Sequence, residues 1–225
     1  MGADVPLEVG LRAGLADLGL ALQDAQIQRL LDYQALIQKW TRVYNLTAVR
    51  DANEMLTHHL LDSLAVVRPL QQQVDVLREG DGVVDPTRLL DVGSGAGLPG
   101  VVLAICCPDL VVHCVDTVAK KAAFVQQVAA SLRLPNLKGI HARVETLKDA
   151  YPIISSRAFA SLADFTQWSG QALAEGGIWM AMKGKHPAEE IAALPAGVEV
   201  FHVEPLQVPG LDAERCILWL RKTPN

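Results

Sequence analysis

Leu89-Leu90-Asp91-Val92-Gly93-Ser94-Gly95-Ala96-Gly97-Leu98-Pro99-Gly100 is the stretch from which the fold of this chain can be read. An apolar strand runs into three glycines at alternate positions, and Pro99 then stands where a helix is expected to start, at its first position. Glycine permits positive φ and lets a ligand approach the backbone, and a helix N-terminus favours electron-rich groups. The next β-rich run ends in Asp116, 23 residues after Gly93. An acid there is placed to accept hydrogen bonds from both hydroxyls of an adenosine ribose. A lone G-x-G says little. Strand, glycine loop, helix, strand and acid in that order point to a nucleoside-bearing cofactor. Spacing leaves its identity open, because Gly95 to Gly100 also satisfies the G-x-G-x-x-G of nicotinamide binders. Asp91, two residues before the first glycine, favours S-adenosylmethionine.

Outward from this loop the rhythm is β–α. Short β-rich runs occur at Arg88–Val92, Leu110–Val115, Leu137–Ala142, Tyr151–Ser156 and Ile178–Lys183. Helical patterns fill most of the gaps, at Gly100–Cys107, Val118–Leu132 and Leu162–Leu173. Such alternation predicts an α/β, doubly wound, mostly parallel sheet. Val198–Val203 and Cys216–Leu220 have no helix between them and predict an antiparallel hairpin at the sheet edge, which also favours S-adenosylmethionine. Towards the N-terminus, apolar residues from Ile27 to Tyr44 repeat with a 3.6 period, after a weaker helical stretch at Leu11–Leu22. Asp51 with Glu54 has the form of a capping box that opens another helix, expected to end before Pro69. The predicted organisation is a helical segment capping the substrate (1–70), a polar linker (71–87) and the α/β domain (88–225). No internal repeat is present.

The 225 residues are 50% hydrophobic and 20% charged, with a formal net charge of −5. That excludes a strongly basic nucleic-acid-coating protein, but not a local basic face. Residues 117–148 carry Lys120, Lys121, Arg133, Lys138, Arg143 and Lys148 against Glu145 alone, whereas the first 32 are acidic. The N-terminus lacks a basic segment followed by an apolar one, and the apolar runs are short for a membrane span, so a cytoplasmic protein is expected. Cys106, Cys107, Cys114 and Cys216 lack C-x-x-C spacing and are expected as buried free thiols. Trp40 and Trp179 are expected in the core.

Several segments resemble the RsmG/GidB family of bacterial methyltransferases. They are Tyr44-Asn45-Leu46-Thr47-Ala48-Val49, His59-Leu60-Leu61-Asp62-Ser63, the glycine loop, Arg143-Val144-Glu145, Ser156-Arg157-Ala158-Phe159-Ala160, Met182-Lys183-Gly184, Leu206-Gln207-Val208-Pro209 and Glu214-Arg215. The resemblance implies a Rossmann-like fold and transfer of a methyl group from S-adenosyl-L-methionine to N7 of a guanosine in 16S ribosomal RNA. It implies 16S RNA or the small ribosomal subunit as partner, with no DNA and no membrane. Cofactor contacts are implied at Gly93, Leu98, Val144, Glu145 and Arg157. Ser94, Gly95, Gly97 and Asp116 join them from the glycine-loop pattern. The family often has an aromatic residue followed by Asp before Ser-Arg-Ala; here Tyr151 is followed by Pro152.

Guanine N7 has a lone pair that needs no deprotonation, so no general base is expected, and alignment of the reactants carries the rate. Arg157, Lys183, Asn45 and His59 are the candidates for positioning the substrate. His58, His59 and Asp62 offer too few ligands for a metal, and His59 with Asp62, three residues apart, suggests a hydrogen-bonded pair. Two other readings remain open at this stage: a methyltransferase for small molecules and a non-catalytic adenosine-binding module.

Overall fold

The fold was taken from a computed structural model, which describes residues 6–79 and 87–223. Five strands run parallel: β1 (Thr87–Val92), β2 (Leu110–Asp116), β3 (Leu137–His141), β4 (Tyr151–Arg157) and β5 (Leu173–Lys183). The chain then adds β6 (Val198–Leu206) and β7 (Arg215–Lys222), and β7 inserts antiparallel between β5 and β6. The sheet order is β3-β2-β1-β4-β5-β7-β6. Leu89 and Leu90 are consecutive and both fully buried, as expected of a strand covered on both faces. The order reverses between β1 and β4, which places the crevice at the C-terminal ends of these two strands. Pro152, the departure from the family pattern, sits where the pairing of β4 with β5 shifts register between Tyr151 and Ile153. A residue without an N–H is tolerated at such an irregularity.

The helices before the sheet are α1 (Leu7–Asp17), α2 (Asp24–Tyr44), α3 (Ala52–Met55), a π-helical turn (Leu56–Leu61), α4 (Asp62–Leu64) and α5 (Val67–Glu79). Asp51 caps α3, its carboxylate accepting from the N–H groups of Asn53 and Glu54. Between the strands lie α6 (Gly100–Cys106), α7 (Ala119–Ser131), α8 (Leu162–Ser169) and α9 (Ala188–Ala192). Leu30, Tyr33 and Ile37 of α2 belong to the same apolar core as Val101, Leu103 and Val125. The helical segment is thereby fastened to one face of the sheet. No helix among the described residues is long and apolar enough to cross a membrane.

Four local expectations are corrected. Residues 71–79 are not linker: the helix opened by Asp51 has ended by Leu64, before Pro69, but a further helix, α5, starts at Val67 and runs through them. Pro69 is its third residue, in the first turn, where a missing N–H breaks no helical bond. Val67, Leu70 and Val74 bury one face of it. Of the rest of the expected linker, 80–86 lies outside the described residues and Thr87 already opens β1. Pro99 precedes α6 rather than opening it, and the Gly100 N–H is taken by Asp91 Oδ2 at 3.0 Å. Cys107 is only half-buried, although Cys106, Cys114 and Cys216 are buried as expected. Trp179 is in the core, whereas Trp40 is half-buried beside Tyr44 and Phe124.

Candidate active site

The loop after β1 is built by its glycines and held by backbone bonds. Gly93 and Gly95 have φ of 65° and 58°, in the left-handed region. Gly93 N and Ser94 N both donate to Val115 O, and Gly95 N donates to Asp116 Oδ2 at 3.0 Å. A Cβ at Gly95 would meet nothing closer than Gly93 O at 4.0 Å, so that side of the loop faces open space. From α2, the fully buried Tyr33 donates its hydroxyl proton to Ala96 O at 2.6 Å and fixes the far side of the loop.

Two cavities open on either side of Gly93 and Ala158. The larger, about 740 Å³, is lined by Asp116, Val118, Lys121, Val144, Glu145, Phe159 and Trp168. Asp116 is buried at its wall, with Oδ1 accepting from Val118 N at 2.8 Å, Oδ2 accepting from Gly95 N, and Lys121 Nζ 3.8 Å away. The smaller cavity, about 450 Å³, is lined by Thr47, His59, Asp62, Ser94, Gly95, Leu98, Arg157, Lys183 and Arg215. Ala158, which touches both, has φ 50°, a conformation that costs a non-glycine residue energy and recurs at functional sites.

Asp62 organises the smaller cavity. Its Oδ2 accepts from Arg157 Nη1 and its Oδ1 from Arg215 Nε, each at 2.8 Å. Arg157 Nη1 also donates to His58 O at 3.0 Å. One buried carboxylate thus joins the helical segment to the ends of β4 and β7. Lys183 Nζ contacts Glu190 Oε2 at 2.8 Å and Ala160 O at 3.2 Å, so its charge holds α9 against β5 while its stem lines the cavity. His59 Nε2 lies 2.8 Å from Thr47 Oγ1, and its buried Nδ1 has no hydrogen-bond partner. Burial first, and then the Arg157 charge, hold the imidazole below its usual pKa. Beneath the loop, Asp91 is fully buried and accepts from Ser155 Oγ and Gly100 N. Burial raises its pKa from 3.8 to about 7 against those two hydrogen bonds.

Of the predicted residues, Ser94, Gly95, Leu98, His59, Arg157 and Lys183 meet in the smaller cavity and Asp116, Val144 and Glu145 in the larger, with Gly93 common to both. Gly97 lines neither; it packs where a Cβ would meet Val101 and Val125. Asn45 also lines neither. It is an exposed C-cap of α2 with φ 50°, its Oδ1 accepting from Arg50, and it turns the chain so that Leu46 and Thr47 enter the site. His59 and Asp62 form no hydrogen bond to each other. The π-helical turn between Leu56 and Leu61 is wider than an α-turn and moves residues three apart off a common face. The central role of Asp62, and the contributions of Thr47, Arg215 and Trp168, were not legible from spacing. For Arg215 the only signal was the Glu214-Arg215 pair within the resemblance.

A parallel sheet with one antiparallel strand beside β5, a glycine loop after β1 and an acid ending β2 define a Rossmann-like methyltransferase. Solved structures share this fold: one of TrmN from Thermus thermophilus superposes with TM-score 0.51 at 21% identity over 75% of this chain and 53% of that one. A putative methyltransferase from Thermoplasma acidophilum gives TM-score 0.50 at 12% identity over 64% of this chain and 71% of the other. The chain belongs to the GidB family, rRNA small subunit methyltransferase G, which matches residues 26–218. Relatives named ribosomal RNA small subunit methyltransferase G include one from Polaromonas sp. at 68% identity, covering 95% of this chain and 93% of the relative. Another, from Albidiferax ferrireducens, is 67% identical over 96% of this chain and 98% of its own.

Proposed function

We propose that this protein transfers a methyl group from S-adenosyl-L-methionine to N7 of a guanosine in 16S ribosomal RNA. The observation that carries the reading is the pair of cavities meeting at Gly93 and Ala158, one walled by the buried acid Asp116 and the other by arginine, lysine and histidine. The fit to the cofactor rests on Gly95, whose open side admits a ligand to the backbone, and on Asp116, whose carboxylate keeps lone pairs for ribose hydroxyls beyond its two backbone bonds. Val144 and Glu145 line the same cavity as Asp116 and would help to hold the cofactor there, and Arg157 and Leu98 would contact it from the other cavity. The cofactor supplies an electrophilic methyl group.

This chain's own residues then bind and orient. Guanine N7 accepts the methyl group through its own lone pair, so no side chain has to remove a proton before the transfer. Arg157 holds its place through Asp62 and His58 O, and Arg215 through Asp62. His59, its imidazole held below its usual pKa by burial and its Nε2 on Thr47 Oγ1, shapes the cavity wall, and so does Lys183, whose ammonium is held by Glu190. A base must leave its stack to enter such a cavity. Incubation of the purified protein with S-adenosylmethionine and small-subunit RNA or particles, followed by mass mapping of nucleosides, is expected to show 7-methylguanosine. Full activity on a small acceptor without RNA, or cofactor binding with no turnover on any acceptor, would refute the proposal.

A further inference from the structure

Single apolar side chains on a surface are ordinary; grouped ones at the edge of a site are not. Among the described residues the exposed large apolar side chains are Val9, Val43, Tyr44, Val76, Val118 and Trp168. Three of them belong to one corner. Val43 and Tyr44 end α2, and Val118 precedes α7, which packs on α2 through Trp40 and Phe124 with ring centroids 5.3 Å apart. Tyr44 is 43% exposed, tilted on Trp40 with centroids 5.1 Å apart, and Lys120 Nζ lies 5.4 Å from its ring centroid. Lys39 lies one helical turn before Val43. Among the described residues neither Lys39 nor Lys120 takes part in an ion pair. Each side of the corner leads into the site: Leu46 and Thr47 into the smaller cavity, and Val118 and Lys121 into the larger.

We infer that this corner is a docking surface for the RNA strand next to the target guanosine, with a flanking base stacked on Tyr44 and an adjacent phosphate on Lys120. An exposed ring beside an ammonium group is the combination that holds single-stranded nucleic acid without reading its sequence. Lysine is depleted in protein–protein interface cores, so its presence at the ring favours a polyanion over a protein. The inference rests on the RNA methylation proposed above, and it adds a contact outside both cavities that a flipped base alone would not need.

Its test uses the full-length protein with small-subunit RNA and small-subunit particles as acceptors. Formation of 7-methylguanosine by the wild-type protein tests the underlying function separately. Given that activity, Tyr44→Ala is expected to raise the KM for the acceptor at least about tenfold, equivalent to about 1.4 kcal/mol, with kcat and cofactor affinity unchanged. Tyr44→Phe, which keeps the ring, is expected to restore most of the loss. Lys120→Ala is expected to lower the salt slope of RNA binding by about one charge. Tyr44→p-azidophenylalanine, irradiated in the complex, is expected to crosslink to RNA. A wild-type KM in Tyr44→Ala would overturn the inference, as would crosslinking to a ribosomal protein instead of RNA.

Discussion

Asp62→Ala should be among the costliest single substitutions available in this site. Asp62 is 3% exposed and receives one arginine on each oxygen, at 2.8 Å in both cases. At an effective dielectric near 20, a charge pair about 4 Å apart attracts by roughly 4 kcal/mol, and desolvation offsets much of that. Removing one partner of a buried pair typically costs about 3–5 kcal/mol, because the other charge stays behind without its counterion. The arginine side chains are 19% and 25% exposed, so water recovers part of the loss. The expected destabilisation is about 2–4 kcal/mol, read from the urea midpoint with the slope unchanged. Asp62→Asn should cost nearly as much, since its amide can accept from one arginine and presents donors to the other. A double-mutant cycle with Arg215→Met isolates the pair, and a coupling of at least about 1 kcal/mol is expected. Cofactor affinity should fall in parallel, because Arg157 loses the group that holds it in the wall of the smaller cavity, next to Ala158. Coupling below about 0.5 kcal/mol with wild-type cofactor affinity would refute the reasoning.

Other substitutions follow from the same geometry. Asp91 has a folded-state pKa raised to about 7, so the stability it contributes is fully present below about 3.8 and is lost as pH rises through about 7. Asp91→Asn, able to accept from Gly100 N and donate to Ser155 Oγ, should flatten the pH dependence of Tm over that window; an unchanged profile would place the titration elsewhere. Asp116→Ala should weaken S-adenosylmethionine binding by about 1.5–3 kcal/mol by calorimetry. It should also lower Tm, since the Gly95 and Val118 N–H groups lose their acceptor, and an unchanged Tm would show those bonds to be dispensable. Gly95→Val brings its Cβ no nearer than 4.0 Å to Gly93 O but must hold φ near 58°; it is expected to fold with a modest loss of stability and to abolish methyl transfer, and retained activity would move the cofactor from this loop.

The strand-to-loop stretch Leu89–Gly100 and the acid at Asp116 were legible because their information is local. Alternate glycines, a buried apolar run and a fixed interval to the next strand end depend only on the chain near them. The parallel sheet and the terminal hairpin followed from the same short-range rhythm. Helix α5 was hidden because Pro69 and the polar run after it signal a break locally, while the burial of Val67, Leu70 and Val74 that rewards the helix comes from tertiary packing. The His59 and Asp62 spacing suggested a pair on one α-helical face, but the packed structure adopts a π-turn there and sends the two side chains to different partners. Asp62 meets Arg157 and Arg215 across sequence separations of 95 and 153 residues. Nothing in the order of residues specifies such a meeting. It exists because closing the sheet brings the ends of β4 and β7 under the helical segment, where two guanidinium groups leaving water need a carboxylate.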